Sequence, residues 1–128
     1  MREVAEDVLK FQAAVGHVLP NEVTGDESSA EVRNLYHQFV TEEYLEFLDA
    51  PDDANKLQEA LDTIWVILGY CNTRGWDTAG AWKELTRSNM SKLQLDPETG
   101  ALRRRADGKI LKPETWRKPD FTPFVGGG

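Results

Sequence analysis

Five acidic residues near the middle of the chain have the types and spacing of a metal site. Glu42, Glu43 and Glu46 are close together, and Glu59 and Asp62 follow three residues apart. At 100° per residue, the three glutamates fall on the same arc of a predicted helix as its apolar residues. Burying an unpaired carboxylate costs several kcal/mol, so we expect cations to compensate these charges.

The sequence around these acids favours a divalent metal ion over basic side chains. Lys56 is the only basic residue between Glu46 and Arg74. Oxygen ligands select hard ions, so we expect Mg²⁺, with Mn²⁺ as a possible substitute, and neither His17 nor His37 has a metal-like partner spacing. Solvated helix faces are also rich in glutamate, and this alternative applies to each motif taken alone.

The elements that must position these acids are helices. Apolar residues at helical spacing predict helices over residues 2–19, 28–49, 53–74 and 77–93, with Ser28 or Ser29 and Asp77 as N-caps. The predicted fold is an all-α bundle of four to five helices, in which consecutive helices bring both acidic motifs into one core. From Ile64 onward the third helix is apolar on nearly every side, which predicts burial against a partner subunit as well.

A basic tail over residues 94–125 is expected to follow the helical core of residues 2–93. Asp107-Gly108 is a strong hairpin dipeptide, so a short two-stranded ribbon is predicted there, and the proline-rich end is expected to lie extended over the helices. From Ala101 onward, seven basic residues face three acids. An acidic body with a basic tail can hold metal cations and small phosphates side by side.

Composition excludes several classes of protein. A chain of 128 residues with 40% hydrophobic and 29% charged residues fits one soluble domain over residues 1–128. The net charge of -7 argues against binding of a nucleic-acid polymer. The apolar run at 64–70 is too short to cross a membrane, no leader is apparent, and the single cysteine, Cys71, favours a reduced compartment, so we expect a cytoplasmic protein.

The motifs together resemble those of a known superfamily. The residues at 42–46 and 59–62 resemble the EExxE and ExxD signature of the all-α nucleoside triphosphate pyrophosphohydrolases, the MazG-like superfamily. The segment 87–92 resembles the Asn-x-Ser-Lys segment of that superfamily. The segment 107–116 resembles the DGKxLKP tail of its single-domain MazG-like and phosphoribosyl-ATP pyrophosphohydrolase-like branch. The resemblance covers roughly residues 30–120.

The resemblance implies an enzyme that cleaves nucleoside triphosphates between the α and β phosphates, usually as a dimer or a dimer of dimers. By this analogy the metal ligands are Glu43, Glu46, Glu59 and Asp62. Glu42 or Glu43 is the candidate for orienting or deprotonating the attacking water. Phosphoryl displacement depends on positioned metal ions and an oriented water. Five carboxylates can hold the ions and orient the water.

Substrate-binding candidates lie on the fourth helix and on the tail. Lys92 is assigned to phosphate and Asn89 to the sugar or base, and the alternative for Lys92 is a solvated residue at a helix end. Arg105, Lys109 and Lys112 are candidates for a lid over the phosphates or for an ordinary solvated ribbon. Trp116 is a candidate for stacking on a nucleobase.

Three functions remain open from the sequence. The first is a metal-dependent pyrophosphohydrolase of (deoxy)nucleoside triphosphates that cleans the nucleotide pool, acting as a homodimer or homotetramer. The second is phosphoribosyl-ATP pyrophosphohydrolase of histidine synthesis, which shares the fold and the metal chemistry. The third is a non-catalytic helical module that binds metal or protein, which the presence of all five acids disfavours.

Overall fold

Four α-helices make up the folded body. The computed structural model describes residues 1–17, 30–93, 95 and 97–126, and its helices are α1 (Arg2–Ala14), α2 (Ala30–Asp49), α3 (Asp53–Thr73) and α4 (Thr78–Met90), followed by a short 3₁₀ helix (Thr122–Phe124). Within these residues no strand forms, which confirms the predicted all-α class. None of the described helices combines the length and apolar composition needed to cross a membrane.

The helix ends follow from local capping. The Asp52 carboxylate accepts a hydrogen bond from the Asn55 N–H at 2.9 Å and begins α3, which ends before Gly75 at a φ of 69°. The Asp77 carboxylate accepts from the Gly80 N–H at 2.9 Å and begins α4, as predicted. Both α1 and α4 stop short of their predicted ends, and the predicted caps Ser28 and Ser29 lie outside the described residues.

Helices α2 and α3 pack along their lengths as an antiparallel pair, and α1 packs on the second half of α3. Buried Gln12 of α1 donates from Nε2 to the Gly69 carbonyl oxygen at 2.9 Å. Asn72 donates to Gln12 Oε1 at 3.0 Å and to the Ala5 carbonyl oxygen at 3.2 Å. These bonds fix the position of α1 along α3, since each pairs a polar group that would otherwise lose water without compensation.

In the single chain α3 is not buried on every side, and its burial against a partner subunit stays a prediction. Ile64, Trp65 and Ile67 remain between 37% and 47% exposed, and the Trp65 ring contacts Phe11 edge-on. The reason is that α1 covers only the second half of α3, while α4 packs mainly on α1 and on the 3₁₀ helix. Much apolar surface of α3 therefore lies open.

The tail contains the predicted turn but is not extended throughout. Two isolated antiparallel bridges, Leu95 with Leu102 and Arg104 with Ile110, take the place of a continuous ribbon. Gly108 occupies the turn with a φ of 89°, a backbone conformation that favours glycine. Beyond the turn, the tail folds back over α4 through turns and the 3₁₀ helix.

Candidate metal centre and active site

The antiparallel packing of α2 and α3 brings three of the predicted metal ligands together. One carboxylate oxygen from each of Glu43, Glu46 and Glu59 lies within 4.8 Å of the other two. Glu43 and Glu46 are neighbours on α2 because residues three apart share a helix face, and Glu59 approaches from α3. We refer to these three residues as the carboxylate cluster.

The cluster holds more negative charge than its surroundings compensate. Oε2 of Glu43 and Oε2 of Glu59 are buried and have no hydrogen-bond partner. Desolvation by burial and the neighbouring carboxyl groups of Glu59, Glu46 and Asp62 together raise the pKa of Glu43 to about 7. Desolvation is also the largest cause that raises the pKa of Glu59. Among the described residues, Lys56 forms no ion pair with these carboxylates, and its Nζ lies 4.5 Å above the Phe47 ring.

The donor set of the cluster fits a hard divalent cation. All available donors are carboxylate oxygens, and two of them are buried without any other partner. A cation placed among them would supply the missing partner and remove the repulsion that raises the pKa of Glu43. Glu43, Glu46 and Glu59 are therefore the residues that could hold a metal ion here.

The two remaining acids of the motifs lie outside the carboxylate cluster. Asp62 follows Glu59 by one turn of α3, is half-buried and adds negative charge that acts on both Glu43 and Glu59. Glu42 is exposed and lines a hollow with His37. The expectation that three glutamates of α2 would be buried is met only by half-buried Glu43, since Glu42 is turned about 100° away from it.

A second group of predicted site residues surrounds Trp116. Nζ of Lys112 lies 4.3 Å from the centre of the indole ring, and Nζ of Lys92 lies 5.5 Å from it. Lys92 also donates to Oδ1 of Asn89 at 3.1 Å. Among the described residues, neither lysine forms an ion pair with a carboxylate. The end of α4 and the tail thus bring together Asn89, Lys92, Lys112 and Trp116, which we call the lysine–tryptophan group.

Two predicted lid residues lie elsewhere on the hairpin. Nη2 of Arg105 forms an ion pair with Oδ2 of Asp107 at 3.2 Å. The backbone N–H of Arg105 donates to the Lys109 carbonyl oxygen at 2.7 Å, and both side chains are exposed. The structure thus gathers four of the predicted substrate-binding residues, and it leaves Arg105 and Lys109 on a separate turn. The four are Asn89, Lys92, Lys112 and Trp116.

Sequence reasoning missed the residues that anchor the tail to α4. Glu84 accepts from Nε of Arg87 at 2.6 Å and from the backbone N–H of Asp120 at 2.9 Å. Both bonds lower the pKa of Glu84 to about 2. The Ser88 carbonyl oxygen accepts from Nε1 of Trp116 at 3.1 Å. A glutamate three residues before an arginine is ordinary on a solvated helix, so no sequence signal distinguished Glu84.

The sequence model of the phosphoribosyl-ATP pyrophosphohydrolase family matches residues 8–89, which is more than half of the chain and contains both acidic motifs. The chain belongs to the phosphoribosyl-ATP pyrophosphohydrolase family. This family is part of the all-α nucleoside triphosphate pyrophosphohydrolase, MazG-like superfamily, so the resemblance drawn from the motifs is confirmed. No curated protein matches the chain.

Membership in the phosphoribosyl-ATP pyrophosphohydrolase family makes the chain a pyrophosphohydrolase, a hydrolase that acts on acid anhydrides. The family is metal-dependent, in agreement with the carboxylate cluster. The match begins within α1 and ends at Asn89, so it covers most of the helical body and leaves Lys92, Lys112 and Trp116 beyond it. The family match therefore describes the helical body and does not extend to the tail.

Proposed function

We propose that the chain hydrolyses (deoxy)nucleoside triphosphates between the α and β phosphates, releasing a monophosphate and pyrophosphate and so cleaning the nucleotide pool. The observation that carries this proposal is the carboxylate cluster, in which two buried oxygens have no partner. Hydrolysis of an anhydride between phosphates needs compensation of negative charge and an oriented water, and little covalent chemistry from the protein.

Mg²⁺ is the proposed cofactor, with Mn²⁺ as a substitute. Glu43, Glu46 and Glu59 would hold it, and Asp62 is the fourth ligand candidate because its charge already acts on Glu43 and Glu59. When bound, such an ion neutralises charge on the phosphate oxygens and makes phosphorus a better electrophile. An all-carboxylate donor set favours this ion over zinc.

The attacking water needs a group that orients it and accepts its proton. Glu43 is better placed than Glu42, because its carboxylate belongs to the cluster whereas Glu42 is exposed and lies outside the cluster. The carboxylate accepts a proton as the water oxygen bonds to phosphorus and the bond from phosphorus to the bridging oxygen breaks. Glu42 remains the second candidate for this role.

The lysine–tryptophan group is the proposed contact for the rest of the substrate. Lys92 and Lys112 carry positive charge that no described carboxylate neutralises, so they suit phosphate oxygens. Asn89 offers an amide for the sugar or base, and Trp116 offers a ring face for stacking. Arg105 and Lys109, on the neighbouring hairpin, are proposed to close over the phosphates.

A homodimer or homotetramer is the proposed assembly. Leu57, Leu61 and Ile64 follow one another at helical spacing on α3, and each is roughly half exposed. At 100° per residue they lie on the face opposite Glu59, which points toward α2. An apolar stripe of this kind beside a small core is typical of a surface that another subunit covers.

Phosphoribosyl-ATP is the second candidate substrate, and the family match is equally consistent with it. It carries the same triphosphate, so the carboxylate cluster would act on it by the same hydrolysis at the bond between the α and β phosphates. The difference lies only in the base and its substituent, which the phosphate-directed residues do not read.

Release of pyrophosphate from a panel of substrates tests the proposal. The panel holds canonical and modified nucleoside triphosphates and phosphoribosyl-ATP, each with Mg²⁺, with Mn²⁺ and with EDTA, and the products are analysed for monophosphate. We expect metal-dependent formation of monophosphate and pyrophosphate, with deoxynucleotides preferred. Preference for phosphoribosyl-ATP would replace the first substrate by the second, and no turnover of any substrate would overturn the enzymatic function in favour of a metal-binding helical module.

Matched variants link that activity to the carboxylate cluster. Glu46→Gln keeps the size of the side chain and removes a charged donor, so turnover should fall at least about a hundredfold. Glu31→Gln makes the same change on an exposed residue in the first turn of α2 and should leave turnover unaltered. Equal activities of the two variants would contradict the assignment of the cluster.

A further inference from the structure

The tail follows α4 in a regular register of four residues. Its contacts pair Trp116 with Ser88, Asp120 with Glu84, and Phe124 with Gly80. Each step of four residues advances one turn along α4, which corresponds to about 6 Å. We call residues 113–125 the strap, because they run antiparallel along α4 and are attached to it at three successive turns.

The central attachment is a carboxylate that holds two donors at once. Oε1 of Glu84 accepts from the Arg87 guanidinium at 2.6 Å, and Oε2 accepts from the backbone N–H of Asp120 at 2.9 Å. Asp120 in turn accepts from the Thr122 N–H at 3.0 Å, which fixes the turn that leads into the 3₁₀ helix. A hydrogen bond to a charged carboxylate is stronger than one between neutral groups, so Glu84 is a firm anchor.

The last attachment depends on a glycine. The Phe124 carbonyl oxygen accepts from the Asp77 N–H at 2.9 Å, and its ring lies against Gly80. A Cβ on Gly80 would lie 2.8 Å from Cε1 of Phe124, closer than such atoms pack. The ring therefore occupies the space that a side chain would take, and it secures the far end of the strap at the first turn of α4.

The strap carries or adjoins two members of the lysine–tryptophan group, so its attachments to α4 affect their position. Lys112 directly precedes the strap, and Trp116 belongs to it. Asn89 lies in the last turn of α4, and Lys92 follows just after the end of that helix. The single hydrogen bond from Trp116 to Ser88 is the attachment nearest to this group. The two more distant attachments must hold the remainder of the strap against α4 if that bond is to persist.

We propose that Glu84 and Phe124 are positioning residues, which hold the strap on α4 so that Lys112 and Trp116 stand beside Lys92 and Asn89 to receive the phosphates of the substrate. The inference rests on the proposed function for the identity of the ligand, and the docking of the strap stands on its own contacts. Neither residue touches the substrate, so their effect passes through the lysine–tryptophan group. Loss of either anchor weakens substrate binding and leaves the hydrolysis step itself in place.

Steady-state kinetics on two anchor variants test the positioning role. Glu84→Ala and Phe124→Ala should each raise KM for the triphosphate about fivefold or more while kcat stays within about twofold, the pattern of lost binding that is equal in ground and transition state. Glu84→Gln keeps an oxygen that can accept from Asp120 and should restore most of the wild-type KM. Thr86→Ala, on an exposed part of the same helix, is the matched control.

Two measurements without turnover separate this proposal from the proposed function. Trypsin cleavage after Arg117, followed by mass spectrometry, should be faster in Glu84→Ala than in the wild type and in Thr86→Ala. The Kd for inorganic pyrophosphate with Mg²⁺, measured by calorimetry, should rise in parallel with that cleavage. Unchanged cleavage would overturn the anchoring, and faster cleavage with an unchanged Kd would overturn the positioning. A wild type that binds pyrophosphate but hydrolyses nothing would refute only the proposed function.

Discussion

Gly69 on α3 lies directly against the ring of Tyr36 on α2. A Cβ on Gly69 would collide with Cε1 of Tyr36 and would stand 3.2 Å from Nε2 of Gln12. The glycine thus lets three helices approach closely at the end of the α2–α3 pair that lies away from the carboxylate cluster. Gln12 fills the same junction, with its amide bonded to the Gly69 carbonyl oxygen.

We expect Gly69→Ala to destabilise the protein by about 1–3 kcal/mol, because overpacking forces neighbouring side chains and backbone to move. A loss of stability would be informative, because alanine in a helix is otherwise about 1 kcal/mol more favourable than glycine. Urea unfolding measures the change. Gln58→Ala, at an exposed site on the same helix, should leave the free energy of unfolding nearly unchanged. A Gly69→Ala variant that is more stable than the wild type would contradict the close contact between Gly69 and Tyr36.

The parts of the fold that depend on local signals could be predicted from the sequence. Asp77 was identified as a cap because its carboxylate needs only the N–H groups of the following turn. The pairing of Glu43 with Glu59 followed from helical periodicity and a short connection between two helices. In both cases the decisive contact lies within one helix or between consecutive helices.

The parts that depend on distant contacts could not be predicted. Glu84 meets Asp120 across 36 residues, and nothing in the local sequence of either residue specifies that bond. The extent to which Ile64 and Ile67 are exposed in the single chain could not be predicted either, because an apolar helix face does not show whether its own chain or another subunit covers it. Side-chain direction at Glu42 also depends on the exact rotation of α2 against α3.

We predict that the stability of the metal-free protein falls as the pH rises through about 7. The pKa of Glu43 is about 7 in the folded chain and 4.5 without the cluster, so the folded state binds more protons between these values. The stabilising contribution is fully present below about pH 4.5 and is lost as Glu43 ionises beside Glu46 and Asp62. Denaturant midpoints in EDTA at pH 5.5 and pH 8 measure the difference.

A neutral amide at Glu43 provides the control for this pH dependence. Glu43→Gln cannot ionise, so its midpoint should change less between the two pH values than that of the wild type. At pH 8 without metal the variant should be the more stable of the two proteins, because repulsion within the carboxylate cluster is relieved. Identical pH profiles would show that Glu43 is not the group responsible.

We predict that Mg²⁺ raises the melting temperature of the wild type by several degrees. A ligand that binds only the folded state at a hundred times its Kd contributes about 2.7 kcal/mol. Glu46→Gln removes one of the three clustered donors and should lose most of the shift, whereas Glu31→Gln should keep it. A wild type whose melting temperature does not respond to Mg²⁺ or Mn²⁺ would contradict the metal assignment.

If the apolar stripe on α3 is a subunit interface, a charged side chain placed in it should break the oligomer. Leu61 is 56% exposed at the middle of the stripe, so a carboxylate there would be buried without a partner if another subunit covers this face. Leu61→Glu should therefore shift the molar mass in light scattering from a dimer or tetramer toward the monomer of 14.5 kDa. Gln58→Glu adds the same charge about 60° away from Leu61 around α3, nearer its polar side, and should leave the mass unchanged. A monomeric wild type would show that α3 is not an interface, since the stripe would then be open to water in solution.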